Sequence, residues 1–98
     1  MTDLKIRQIV EHLATHNTKT YNLLKASEEC QELALVLQQK VLKPTKVTEQ
    51  QIIDEIGDVI IRLRVLKKLY SKSKVKERIF KKLNAYDTYI KTNRYRNI

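Results

Sequence analysis

Residues 21–42 decide the fold: Tyr21-Asn22-Leu23-Leu24-Lys25-Ala26-Ser27-Glu28-Glu29-Cys30-Gln31-Glu32-Leu33-Ala34-Leu35-Val36-Leu37-Gln38-Gln39-Lys40-Val41-Leu42. Leu23, Ala26, Cys30, Leu33, Leu37 and Val41 recur at alternating threes and fours, the seam of an antiparallel or coiled-coil helix packing. Against that seam stands the acidic run Glu28-Glu29-Cys30-Gln31-Glu32. A helix brings residues three and four apart onto one face, so Glu29 with Glu32, and Glu28 with Glu32, become neighbouring carboxylates. Asn17-Thr18-Lys19-Thr20 makes a polar break before the helix, and Pro44 ends it.

The next helix opens on Thr48-Glu49-Gln50-Gln51, which matches a capping box, and runs to about Tyr70. Its seam is Ile52, Ile56, Val59, Leu63, Leu66 and Tyr70. A second acidic run, Glu55-Ile56-Gly57-Asp58, lies on it. Glu55 and Asp58 fall on one flank of the seam with Arg62, and Ile53 and Ile60 on the other.

Upstream, Asp3 to His16 reads as a first helix capped by Thr2 or Asp3, with Leu4, Ile6, Ile9, Val10 and Leu13 as its apolar set. It is the weakest amphipath. Downstream, Ser71-Lys72-Ser73-Lys74 separates a fourth helix, about Val75 to Thr92, carrying Val75, Ile79, Phe80, Leu83, Tyr86 and Ile90 with mostly basic exposed positions. The expected fold is therefore all-α, a four-helix, bundle-like single domain over residues 1–98. A chain of 98 residues buries only a modest core. Leu24, Leu35 and Ile61 lie off the main seams, which predicts packing against a second subunit.

With 20 Lys+Arg against 11 Asp+Glu the net charge is +9, yet six of the eleven acids (Glu28, Glu29, Glu32, Asp54, Glu55, Asp58) fall in the two clusters. The rest of the chain is strongly basic. Such a field attracts polyanions, a nucleoside triphosphate with its metal or a nucleic acid, and also serves simple solubility. The 42% apolar content excludes a disordered tail. Cys30, the single cysteine, has no internal disulfide partner, and neither a charged-then-apolar leader nor an apolar run of about 18 residues is present. A cytoplasmic protein with no membrane association is expected.

Four or five like charges on facing helices repel one another and gain nothing in packing. A hard divalent cation between them would account for the arrangement, because such ions take oxygen ligands and often reach phosphate-bearing substrates. Either run alone is an ordinary solvated helix face. Two carboxylate pairs, each bordering an apolar seam, point to a metal site.

Together these runs resemble the MazG-like all-alpha nucleoside triphosphate pyrophosphohydrolases, whose pattern is E-E-x-x-E on one helix and E-x-x-D on the next. Lys25-Ala26-Ser27 before the first run and Val59-Ile60-Ile61 after the second also look like the short, single-domain members common in bacteria and their phages. The resemblance covers Tyr21 to Tyr70. It implies Mg2+, with Mn2+ as substitute, held by Glu29, Glu32, Glu55 and Asp58. Glu28 and Glu29 are the candidates for the catalytic role, Glu28 as a further ligand or as the group that orients the attacking water. The implied reaction splits a ribo- or deoxyribonucleoside triphosphate between its α and β phosphates into monophosphate and pyrophosphate. A dimer or tetramer with the pocket bordering a subunit interface is implied as well.

Lys25, one turn before Glu29, and Arg62, one turn beyond Asp58, could reach substrate phosphates or simply pair with the neighbouring acids. Lys82, Lys91, Arg94 and Arg96 stand where related proteins carry phosphate-contacting residues, whereas Ala85 stands where another basic residue is expected. His12, with His16 one turn away, lacks a third ligand for a metal; His12, Asn17 and Tyr21 could line a base pocket. Cys30 reads as a small core residue. Gly57 either permits close approach to the backbone or is merely tolerated. The rival function is a non-catalytic basic helical dimer that binds nucleic acid, protein or a nucleotide signal. It explains the charge but not the clustered carboxylates, which would repel DNA, so no specific nucleic-acid partner is expected.

Overall fold

Capping chemistry sets the boundaries of four helices in the computed structural model, which describes residues 1–92. They are α1 (Asp3–His16), α2 (Lys19–Leu42), α3 (Glu49–Leu69) and α4 (Lys72–Lys91), and among the described residues there is no strand. The Thr2 hydroxyl accepts from the Lys5 amide at 3.1 Å and starts α1. Thr48 and Gln51 close the expected capping box: the Gln51 amide donates to Thr48 Oγ1 at 3.2 Å and the Thr48 amide to Gln51 Oε1 at 2.8 Å.

Two expected breaks are shorter than the sequence suggested. Thr18 and Ser71 accept from the amides of Tyr21 and Lys74, so α2 and α4 begin at Lys19 and Lys72 rather than at Tyr21 and Val75. One hydroxyl at the N-cap is enough to make the following polar residues helical. At the other end of α2, Lys43 leaves the helix just before Pro44, the residue a proline keeps out of helical geometry. Lys40 then donates to the carbonyls of Pro44 and Val47 at 3.1 and 3.0 Å, fastening the turn over the buried Val47.

Helices of 24 and 21 residues joined by so short a connection and packed along each other must run antiparallel. The α2·α3 pair is the most extensive contact; α1 packs on α3, and α4 touches α3 only lightly. The single core cluster is Val10, Ala14 and Val65, flanked by Ile6, Leu13 and Leu69. So α1, read from sequence as the weakest amphipath, supplies two of the three buried residues. Its C-terminal end is held by Asn17 and Asn22, whose amide nitrogens both donate to the Leu13 carbonyl at 3.2 Å, one of those the helix leaves unpaired. Asn22 is 1% exposed and its Oδ1 has no partner.

The seams differ from the expected ones by a small rotation of each helix. Turned inward on α2 are Asn22, Ala26, Glu29, Leu33, Val36 and Lys40, and on α3 Ile52, Glu55, Val59, Arg62, Leu66 and Leu69. Leu23, Leu37, Val41, Ile56, Leu63 and Tyr70 are exposed, as is Cys30, which is therefore not a core residue. Ala26, Leu33, Ile52, Val59 and Leu66 stay inward while the seam positions between them move back by one, a turn of roughly 50° on average, enough to carry Glu29, Glu55 and Arg62 from the flank into the seam. On α4, Ile79, Phe80, Leu83 and Ile90 are exposed and only Val75 and Tyr86 are half-buried.

The outcome is an open molecule. Its accessible surface is 8180 Å², against roughly 5,800 Å² for a compact monomer of this mass. Its radius of gyration is 16.7 Å, against about 12.6 Å for a compact domain of this length. No helix of the described residues is long and apolar enough to cross a membrane.

Gly57 lies in mid-α3, and a Cβ placed on it would meet nothing within 4 Å. The glycine is not needed for packing within the chain, so Gly57→Ala should stabilise the folded chain by about 1 kcal/mol, on the order of 5 °C in Tm. A thermal melt checks this. A fall in Tm would show that another chain approaches the backbone there.

Candidate metal centre

Because Glu29 and Glu55 occupy seam positions, antiparallel pairing of α2 and α3 sets them against one another, and Glu32, one turn along α2, joins them. One carboxylate oxygen from each of Glu29, Glu32 and Glu55 lies within 4.8 Å of the other two. Glu29 and Glu55 are half-buried, and Glu32 is exposed at the rim. Glu29 Oε2 and Glu55 Oε2 are both buried with no hydrogen-bond partner. Buried oxygens without partners on two neighbouring carboxylates are costly, since each ion loses water and gains a repulsive neighbour.

Glu32 feels the same repulsion. Its carboxyl is pushed above the ordinary 4.5, chiefly by the charge of Glu29, then by partial loss of solvent, then by the charges of Glu55 and Glu28. On the same flank, Lys25 pairs with Glu28 at 3.4 Å and with Glu29 at 3.6 Å, and its ammonium is held above its usual range by Glu28 first and Glu29 less. Lys25 thus takes the ion-pair alternative and partly offsets Glu29 through Oε1, leaving Oε2 free. Two turns beyond Glu55 on the inward face of α3, Arg62 is half-buried with a buried Nη1 that has no partner. An unpaired guanidinium nitrogen about 10 Å along the same helix from Glu55 adds the opposite charge to that face of α3.

The remaining expected site residues separate from this centre. Asp58 is exposed and stands outside the 4.8 Å group, and Glu28 is exposed and engaged with Lys25. Lys82 lies on the distal helix α4, its ammonium 5.3 Å from the Tyr86 ring centroid. Lys91 pairs with Asp87 at 2.9 Å. Arg94 and Arg96 lie outside the described residues. The three residues expected at a base pocket have separate engagements: His12 stacks on His16 with ring centroids 3.8 Å apart, Asn17 caps α1, and Tyr21 is exposed in the first turn of α2.

As a donor set, three carboxylates suit a hard, oxygen-preferring cation. The absence of His or Cys from the group disfavours zinc or copper. Comparison with protein-family models, with curated proteins and with solved structures gives no match.

A raised folded-state pKa fixes the sign of a pH effect. Metal-free, the folded chain holds the Glu32 proton more tightly than the unfolded chain does, so this contribution to stability is present at low pH and is lost as pH rises from about 4.5 through the raised folded value. Glu32→Gln should therefore melt above wild type in chelator at pH 7, with the gap closing as the pH approaches 4. Melts of both proteins across that range check it; a gap independent of pH would remove the charge repulsion as its cause.

Proposed function

We propose that the chain is a metal-dependent nucleoside triphosphate pyrophosphohydrolase of the MazG-like kind, with Mg2+ held by Glu29, Glu32 and Glu55. The observation that carries the reading is the pair of buried, partnerless oxygens on Glu29 and Glu55, converging with Glu32 from two helices. A cation there would neutralise what is otherwise repulsion, and its chemistry is to polarise phosphate oxygens and acidify a bound water. Asp58, on the exposed side of α3, would join the set through a water or through a substrate phosphate.

In the reaction a water oxygen bonds to the α-phosphorus, the bond from that phosphorus to the bridging oxygen breaks, and its electron pair leaves with pyrophosphate. The water's proton passes to a carboxylate, Glu28 and Glu29 being the candidates. Arg62, whose Nη1 has no partner, would take a phosphate oxygen. Lys25, already shared between Glu28 and Glu29, would act by holding those carboxylates.

The same reading includes a second copy of the chain. The surplus surface over a compact monomer exceeds the ~800 Å² that each partner contributes to a standard interface. The exposed apolar residues of α2, α3 and α4 form its obvious material. One groove of about 540 Å³ between α3 and α4 is lined by Ile60, Leu63, Leu66, Tyr70, Val75 and Ile79 together with Arg64 and Lys67. Oligomerisation would supply the core that one chain lacks.

Two measurements follow. With Mg2+ or Mn2+, a screen of nucleoside triphosphates should release pyrophosphate rather than orthophosphate, and Glu55→Gln should reduce turnover by at least about a hundredfold. Orthophosphate release, or turnover unchanged in chelator, contradicts the assignment. In sedimentation velocity at tens of micromolar, the chain should run as a dimer or larger; a stable folded monomer contradicts the second copy.

A further inference from the structure

At the far end of α3 from the carboxylates, charge of the opposite sign accumulates. A cavity of about 310 Å³ is lined by Arg7 and Val10 of α1, Arg64, Lys67 and Lys68 of α3, and Lys72 at the first position of α4. Five cations from three helices face one concavity. Lys68 has an acid in reach, Glu11 at 3.6 Å. Arg7, Arg64, Lys67 and Lys72 have no ion pair or hydrogen-bonded side chain among the described residues. The cavity borders the core residue Val10, so its floor is fixed by the α1·α3 packing that holds the fold together.

Solvation alone does not ask for this arrangement. Lys67 and Lys68, in the last turn of α3, suit the negative end of that helix, but Arg7, Arg64 and Lys72 line the same cavity, Lys72 at a helix N-terminus, where the dipole disfavours cations. The first turn of α4 holds no acid, as is also true of α2, whereas Asp3 and Glu49 occupy that place in α1 and α3. A multiply charged anion would offset the unpaired cations and the dipole together. The cavity is a concavity of small-ligand size, not a groove that tracks a nucleic-acid backbone. Arg64 lies nine residues beyond Glu55 on one helix, roughly 13 Å along the axis, so the two sites are distinct.

We propose that this basic cavity is a second site, binding a small, multiply charged phosphate of the size of pyrophosphate or of a nucleotide's triphosphate tail. It is independent of the function proposed for the carboxylates. Working in a chelator isolates it, because without metal the carboxylates repel an anion.

The test is calorimetric titration of the full chain with pyrophosphate, and separately with a non-hydrolysable nucleoside triphosphate, in EDTA at about 150 mM salt. Saturable binding is expected, weakened about tenfold or more by Arg64→Gln and by Lys72→Gln and changed less than about twofold by Lys81→Gln, which removes the same charge elsewhere. Tighter binding of the nucleotide than of pyrophosphate assigns the triphosphate tail as the source; the reverse assigns the free anion. Glu55→Gln should leave the titration intact even where it abolishes turnover. The proposal is overturned by absence of saturable binding, by an equal loss in Lys81→Gln and Arg64→Gln, or by binding of a duplex oligonucleotide with none of pyrophosphate.

Discussion

Repulsion between Glu29, Glu32 and Glu55 is the constraint around which the rest of the molecule is arranged. The longest helix pair places Glu29 and Glu55 at its seam and Glu32 at the rim; an apolar pair at the seam would have gained burial energy and cost nothing in electrostatics. Two of their oxygens are cut off from water without a partner. Lys25 relieves part of the charge on one of them and no other cation within the described residues pairs with the group. Sequence positions that lower stability and remain unrelieved within the chain are the kind that function explains.

A second consequence follows from the same geometry. Turning Glu29, Glu55 and Arg62 inward turns Leu23, Leu37, Ile56 and Leu63 outward, so the acidic centre and the exposed apolar face are two sides of one helix rotation. Six buried apolar residues among those described are a small core for a chain of this size. The carboxylate site and the proposed second copy are therefore linked: covering the apolar faces would lock the rotation that keeps the acids together. The opposing basic cavity borders Val10 of the buried cluster Val10, Ala14 and Val65.

Much of this was legible in the residues. Helix number, the capping box at Thr48, the Asp3–His16 boundaries and the stop before Pro44 were all readable, because they rest on local chemistry. So was the pairing of the two acidic runs. What the sequence could not give was rotation: the apolar lines Leu23-Ala26-Cys30-Leu33 and Asn22-Ala26-Glu29-Leu33 share residues and differ by one position, and hydrophobicity alone favours the first. The convergence of Arg7, Arg64 and Lys72 was equally hidden, since it arises from α1 docking on α3 and from Ser71 starting α4 one turn early. Only the Arg64, Lys67 and Lys68 stripe on α3 was readable from spacing.

Whether a cation resolves the central repulsion is the question on which the functional reading turns, and it can be asked without any substrate. Thermal melts of wild type and Glu29→Gln, in chelator and with millimolar Mg2+, measure it directly. The expected result is a Tm raised by Mg2+ in wild type and a much smaller rise in the variant. Melting curves of both proteins that do not move with Mg2+ would contradict a metal centre at Glu29, Glu32 and Glu55.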